Sequence, residues 1–175
     1  CFGSKYHETP NLDRLASRGV RLTQAYSASP LCSPTRSSIL TGQYPARTGI
    51  TAPVCHLPTI QLEKSLGKNE NGKVRLLVAD SVTRLKPDYH TLAEALKASG
   101  YATAHFGKWH LGHNLKAGDT YEPRDQGFDL DWPHTPKAPG PGGGYLAPWQ
   151  FIADPAIKDD AGRHVDERMA DEAGK

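Results

Sequence analysis

A cysteine stands at the entrance of a short helical pattern, where its residue type suits nucleophilic chemistry. Pro34 suits a first helical position and Gly42 suits the helix end, so a short helix is predicted between them. Cys32 then lies just before the helix N-terminus, where unpaired N–H groups and the helix dipole favour negative charge. These features would activate a nucleophile and attract an anionic substrate. Arg36, about one helical turn further on, can direct a guanidinium at the same place.

A lysine and a histidine form a second candidate pair for chemistry. Lys108 and His110 follow a predicted strand over 101–106, and they share a face if the strand geometry continues through them. The lysine supplies a point charge for an oxyanion, and the histidine titrates near neutral pH and suits proton transfer. Open α/β sheets bind ligands at the carboxyl ends of their strands. The pair therefore lies where a functional site is expected.

The chain before Cys32 reads as a helix followed by a strand. Residues 9–19 predict a helix that Thr9 caps and Gly19 ends, and its expected buried stripe is Leu12, Leu15 and Ala16. Residues 20–26 alternate apolar and polar side chains, which predicts a half-buried strand. This order of elements, continued by the helix after Cys32, is typical of an α/β fold.

Residues 91–100 carry the clearest helix signal in the chain. Thr91 and Glu94 have the spacing of a capping box, and Gly100 suits the end of the helix. The residues predicted to face inward are Leu92, Ala95 and Leu96. The strand that leads to Lys108 follows directly.

Other stretches predict loops and surface structure. Residues 61–86 are interpreted as a surface hairpin or insertion, with a turn at 69–72, and residues 117–149 as a Gly- and Pro-rich non-helical loop. Residues 164–173 predict a charged helix whose carboxylates face solvent. Cys55 and His56 are interpreted as part of an ordinary loop, with metal ligation as the alternative.

Composition narrows the functional classes. The 175 residues are enough for one domain with a core, and no apolar run approaches the length of a membrane span. A net charge of +2 gives no argument for nucleic-acid binding. The three cysteines form neither a metal-binding spacing nor an even disulfide set. The abrupt start and end predict an internal piece of a longer protein.

Three motifs together resemble the type I sulfatases, the formylglycine-dependent branch of the alkaline phosphatase superfamily. The motifs are Cys32-x-Pro34-x-Arg36 with Thr41-Gly42, Gly100-Tyr101-x-Thr103 with Gly107-Lys108-Trp109-His110, and Gly127-Phe128-Asp129. Phe106 is bulkier than the residue usual in that family. The resemblance implies a partial three-layer α/β/α sandwich with a mixed, mainly parallel sheet. Residues 1–175 would then be part of an N-terminal catalytic domain, truncated at both ends, with 117–149 shaping the substrate pocket.

The resemblance also implies a mechanism for sulfate monoester hydrolysis. Cys32 is converted to formylglycine, whose hydrate has one hydroxyl that attacks sulfur and a second that later loses its proton to expel sulfate. His110 is the candidate acceptor of that proton. Lys108 would bind a sulfate oxygen, and Arg36 would orient the diol and add positive charge.

Cofactors, partners and location are likewise implied by the resemblance. The family uses one divalent cation, usually calcium, which needs about six oxygen ligands. Formylglycine at Cys32 would be one ligand, and the others are expected outside this chain, so the piece alone is expected to be inactive. The expected partners are a sulfated small molecule or glycan and a formylglycine-generating enzyme, without nucleic acid. The expected location is periplasmic, secreted or lysosomal.

Two other functions are compatible with the same residues. A phosphodiesterase or phosphonate monoester hydrolase of the superfamily can share the Cys32-x-Pro34-x-Arg36 nucleophile, although the Lys108–His110 motif favours a sulfatase. A non-catalytic member would keep the pocket to bind sulfated glycans. It would show an unmodified Cys32 and saturable binding without turnover.

Overall fold

The computed structural model describes residues 3–66, 77, 79–135, 144–149 and 161–175. In chain order, the helices are α1 (Pro10–Arg18), α2 (Cys32–Thr41), α3 (Pro45–Thr48), α4 (Leu92–Ala98) and α5 (Val165–Ala173), with a 3-10 turn at Pro123–Gln126. The strands are β1 (Ser65–Leu66), β2 (Ala79–Asp80), β3 (Ala104–Lys108) and β4 (Leu130–Thr135). In the described part of the chain, no helix is long and apolar enough to cross a membrane.

Helix α1 forms where the sequence predicts it, but its predicted burial is wrong. Leu12 and Leu15 are 60% and 68% exposed, and α1 contains no buried residue. The predicted strand over 20–26 is also wrong, because these residues are irregular and exposed. A strand needs a partner for its backbone groups. The apolar pattern of a segment indicates which face it can bury, whereas burial itself requires another element to pack there.

Helix α4 confirms the capping box and corrects the predicted inward face. The backbone N–H of Glu94 donates to Thr91 Oγ1 at 3.2 Å, and the Thr91 N–H donates to Glu94 Oε2 at 2.7 Å. Thr91 Oγ1 also donates to the Gln126 carbonyl at 2.7 Å. The helix thus docks through its first turn, which buries Ala93 and leaves Leu92 half exposed.

A parallel strand pair lies at the centre of the second half of the chain. Strand β3 begins at residue 104, later than predicted, and pairs with β4. The interpretation of 117–149 as a loop without regular structure is therefore wrong where β4 and the 3-10 turn lie. The ladder shifts register so that Trp132 faces Phe106 and His134 faces Gly107. Pro133, which has no N–H to donate, is the extra residue at this bulge.

The predicted surface hairpin is confirmed at its base. Strands β1 and β2 are antiparallel, with Ser65 opposite Asp80 and Leu66 opposite Ala79, and both strands are exposed. The predicted turn at 69–72 lies outside the described residues. The predicted charged helix near the end of the chain is confirmed as α5, but not all its carboxylates face solvent, because the Glu172 side chain is 14% exposed and pairs with Arg168 and Lys175.

The main core joins three segments that are distant in sequence. Its buried members are Ile50, Cys55, Val82, Leu85, Trp109 and Leu111. Backbone hydrogen bonds connect the same segments, since the Val82 N–H donates to the Gly49 carbonyl at 2.9 Å and the Leu85 N–H to the Leu111 carbonyl at 2.7 Å. The residues after β3 are consequently fixed against the loop at 50–57.

Candidate active site

Helix α2 places Cys32 at its N-terminus with the side chain exposed. The helix begins at Cys32 itself, and Pro34 is its third residue rather than its first. Ser33, Pro34 and Ser37 form the buried face of α2. The helix ends at Gly42, which has a left-handed φ of 67°, as the sequence predicts. The burial of the opposite face leaves Cys32 accessible to a modifying enzyme or a substrate.

Arg36 connects the two sequence motifs. Its Nη1 donates a hydrogen bond of 2.6 Å to the carbonyl oxygen of Lys108. Arg36 is half buried, and this burial lowers the pKa of its guanidinium, an effect that the neighbouring Cys32 charge partly opposes. A guanidinium remains cationic under such a shift. The contact therefore places a positive charge between the N-terminus of α2 and the end of β3.

Lys108 and His110 lie at the carboxyl end of β3, and their backbones have different conformations. Lys108 is the last residue of the strand, whereas His110 has a φ of +54°. The strand geometry that would give them a shared face thus stops at Lys108. Among the described residues, His110 is the one non-glycine residue with positive φ. The residue is 5% exposed, so a buried histidine is held in a backbone conformation that costs energy.

His56 contacts His110 directly, a contact that residue type and spacing hardly indicate. His56 Nδ1 lies 2.8 Å from His110 Nε2, and the two rings are stacked with centroids 5.1 Å apart. The stretch is a loop, as interpreted, but it is also part of the candidate site. The adjacent Cys55 and His56 were the one feature of the sequence that could have drawn attention to this loop. His110, the partner of His56, is 54 residues away, a separation that no local spacing can indicate.

Arg84 fixes the loop that carries His56. The guanidinium is fully buried and donates to the Leu57 carbonyl at 2.7 Å, the Cys55 carbonyl at 3.4 Å and the Thr83 carbonyl at 2.6 Å. Burial lowers its pKa. The carbonyls on both sides of His56 are therefore held, and this backbone carries the ring that lies within hydrogen-bond distance of His110.

Two further contacts explain why the second motif has its composition. The Trp109 indole N–H donates to the Tyr121 carbonyl at 2.8 Å, which locks the residue between Lys108 and His110. Asp129 Oδ2 accepts from the N–H and the hydroxyl of Thr103, each at 3.0 Å. The Gly127-Phe128-Asp129 stretch thus anchors the start of β3, the strand that carries the site.

The other described cysteine does not suit nucleophilic chemistry. Cys55 is fully buried, and this burial raises the pKa of its thiol to about 11. Cys32 is exposed at a helix end. The structure therefore favours Cys32 as the reactive position.

The described residues do not form a cation site. Within the ranges that the structure describes, no three His, Cys, Asp or Glu side chains are grouped so as to hold a metal ion. The alternative of a metal site at Cys55 and His56 accordingly gains no support from these residues. A hard cation bound by Cys32 alone would lack most of the oxygen ligands that it needs.

Comparisons with known proteins identify a family for this chain. The sulfatase family model matches residues 1–173. Mouse steryl-sulfatase is 41% identical over 132 residues, which cover 74% of this chain and 18% of that protein. Pig N-acetylgalactosamine-6-sulfatase is 36% identical over 156 residues, which cover 89% of this chain and 25% of that protein.

A solved structure shows the same fold. The crystal structure of Ps i-CgsB in complex with k-i-k-neocarrahexaose matches with a TM-score of 0.54 and 30% identity, over 82% of this chain and 25% of that one. This likeness confirms the α/β fold class, a partial alkaline-phosphatase-like sandwich. The chain spans about a fifth to a quarter of the length of the relatives that it matches.

Proposed function

The chain belongs to the sulfatase family, and from this premise we propose that the full-length protein hydrolyses sulfate monoesters with a nucleophile made from Cys32. The observation that carries the proposal is the hydrogen bond between Arg36 and the Lys108 carbonyl. It joins the helix that begins at Cys32 to the strand end that leads to His110. Two motifs that are 72 residues apart thus meet at one place.

The residues of the chain have distinct roles in this proposal. Formylglycine at Cys32 supplies a hydrated aldehyde as the nucleophile. Arg36 orients that group and contributes positive charge, and Lys108 binds a sulfate oxygen that gains charge in the transition state. His110 accepts the proton that a hydroxyl at residue 32 gives up. The exposure of Cys32 supports its modification by a formylglycine-generating enzyme.

The cation and the substrate class are also part of the proposal. A divalent cation, calcium by family habit, would supply charge for the sulfate group, with its remaining ligands from outside this chain. Steryl-sulfatase and the complex of Ps i-CgsB with a carrageenan oligosaccharide support a sulfated small molecule or glycan as substrate. We place the protein in the periplasm, the lysosome or the secreted fraction, as is usual for the family.

The test is to express the full-length protein with a formylglycine-generating enzyme and analyse the tryptic peptide 22–36 by mass spectrometry. We expect the Cys32 thiol to become an aldehyde. The converted protein should hydrolyse an aryl sulfate faster than an aryl phosphodiester. The Cys32→Ala variant, produced in the same cells, is the matched control and should be inactive.

Each other outcome contradicts a defined part of the proposal. An intact Cys32 thiol, with a known sulfatase converted in the same cells, would exclude the proposed nucleophile. Faster turnover of the phosphodiester would show that the protein is a phosphodiesterase instead. Saturable binding of a sulfated glycan without turnover would show that the protein is a non-catalytic glycan-binding member of the family.

A further inference from the structure

We propose that His56 is a positioning residue for His110, accepting a hydrogen bond from its Nε2 and so directing proton uptake to Nδ1. The inference rests on the proposed function, because it concerns the proton that His110 accepts there. It concerns a residue outside both sequence motifs. The observation that carries it is the distance of 2.8 Å between His56 Nδ1 and His110 Nε2.

The backbone that carries each ring is held by structure that does not depend on the contact between the rings. Arg84 fixes the carbonyls of Cys55 and Leu57, on either side of His56. His110 lies between the buried Trp109 and Leu111 and has its φ of +54°. A backbone in this sparsely populated region persists only where its surroundings over-determine it. The two nitrogens are therefore held in contact rather than meeting as two mobile surface groups.

The chemistry of two imidazoles decides the direction of the hydrogen bond. A contact of 2.8 Å between ring nitrogens holds one proton, so one ring donates and the other accepts. If His56 donated, neutral His110 would carry its own proton on Nδ1 and that atom would have no lone pair for a second one. If His110 donates through Nε2, its Nδ1 can accept. The role of His110 as a base therefore requires His56 to be the acceptor.

Proton transfer then balances within the pair. The O–H bond of a hydroxyl at residue 32 breaks, its proton forms a new N–H bond at His110 Nδ1, and the electron pair stays on oxygen. His110 becomes an imidazolium while its Nε2–H still donates to neutral His56. Arg84, whose guanidinium donates to the carbonyls of both neighbours of His56, already places one positive charge beside this loop. Further ionisable groups near this loop are Cys55, His113, Asp119, Tyr121 and Glu122.

The test compares three substitutions at His56 in the full-length protein with Cys32 converted. His56→Ala removes the acceptor, and we expect kcat for an aryl sulfate to fall about 10- to 100-fold with KM within about twofold. His56→Asn places a carbonyl oxygen near the position of Nδ1 and should restore most of kcat. His56→Gln has an amide of similar polarity one carbon further out and should resemble His56→Ala.

A matched control and the thermal unfolding midpoint separate positioning from folding. His90→Ala removes an exposed histidine at the start of α4 and should leave kcat unchanged. If His56→Ala is poorly folded, the comparison of Asn with Gln still tests the geometry. Equal kcat in His56→Ala and wild type, or equal losses in Asn and Gln, would overturn the inference alone. Converted wild-type protein without any sulfate ester turnover would instead overturn the proposed function, and the inference with it.

Discussion

Single side chains at the candidate site act over long sequence distances. Arg36 reaches the Lys108 carbonyl from 72 residues away, and His56 reaches His110 from 54 residues away. Each contact uses a group with directional donors or acceptors, so a substitution of similar size or charge does not reproduce it. The site is therefore sensitive to the identity of these residues as well as to their charge.

Arg36→Lys tests this sensitivity at the residue scale. Lysine keeps the positive charge but lacks the planar fork that donates to the Lys108 carbonyl beside Cys32. We expect kcat for an aryl sulfate to fall about 10²- to 10³-fold, the usual effect of removing one oriented donor at a developing charge. The measurement is steady-state kinetics on the full-length protein with conversion of Cys32 verified.

The control for this variant is Arg14→Lys. Arg14 lies on the exposed helix α1, where it donates to Asn11. Its substitution should leave kcat unchanged. A kcat for Arg36→Lys equal to that of wild type would remove Arg36 from the proposed mechanism.

Residue type and spacing predicted the candidate site only in part. Cys32, Arg36, Lys108 and His110 stand out because each motif is local in sequence. The left-handed backbone of His110 and its contact with His56 depend on the loop that Arg84 holds. Such a contact follows from tertiary packing, which the local pattern of a single sequence does not reveal.

At the scale of elements, strand β3 is held at its start by a polar anchor. Asp129 accepts from Lys97 Nζ at 2.6 Å and from the N–H of Thr103 at 3.0 Å. These hydrogen bonds, that of Lys97 above all, lower the pKa of the Asp129 carboxyl. The anchor connects the end of α4 with the beginning of β3, and it requires a charged carboxylate.

This anchor predicts a pH-dependent stability. The pKa of Asp129 is lower in the folded than in the unfolded protein, so its stabilisation is present above the unfolded value, about 3.9, and is lost as pH falls through the folded value. Asp129→Asn should therefore lower the unfolding midpoint at neutral pH. The difference from wild type should shrink as pH falls below about 3.9.

Thermal unfolding followed from neutral to acid pH measures this effect. Asp88→Asn, at an exposed position outside the helices and strands, is the control and should change the midpoint little. A difference between wild type and Asp129→Asn that stayed constant across the range would contradict an ionic anchor.

Local signals predicted the elements better than their burial. The capping box of α4 and the glycine after α2 are decided by neighbouring residues, and both are confirmed. Leu12 and Leu15 of α1, and the predicted strand over 20–26, required a partner that is not among the described elements. Strand β4 was missed because it lies in a Gly- and Pro-rich stretch and forms by pairing with β3.

At the scale of the whole molecule, one buried arginine ties the core to the site. Arg84 donates to carbonyls of the loop at 55–57, and its neighbour Leu85 bonds to the Leu111 carbonyl. The segments involved also form the main hydrophobic cluster. Stability and site geometry are consequently coupled through Arg84.

Arg84→Met tests this coupling. Methionine has a similar length but no donors, so buried carbonyls of Cys55 and Leu57 lose their partner, at about 1–3 kcal/mol for each unsatisfied group. We expect the free energy of unfolding to fall by about 3 kcal/mol and kcat to fall with it, because His56 loses its support. Denaturant unfolding and steady-state kinetics of the full-length protein measure the two effects.

The matched control is Arg124→Met, which changes an exposed arginine in the 3-10 turn. It should alter neither quantity. Arg84→Lys should fall between wild type and Arg84→Met, since it keeps the charge without the fork. Wild-type stability in Arg84→Met would contradict a structural role of the guanidinium.

The 72-residue separation between Arg36 and Lys108 also has a consequence during translation. At about 5–20 residues per second, a ribosome needs roughly 4–14 s to synthesise the chain between them. During that interval the segment of helix α2 has been synthesised, but the strand end that will contact Arg36 has not. The nascent chain thus contains Cys32 and Arg36 for several seconds before the strand end that Arg36 contacts has been synthesised.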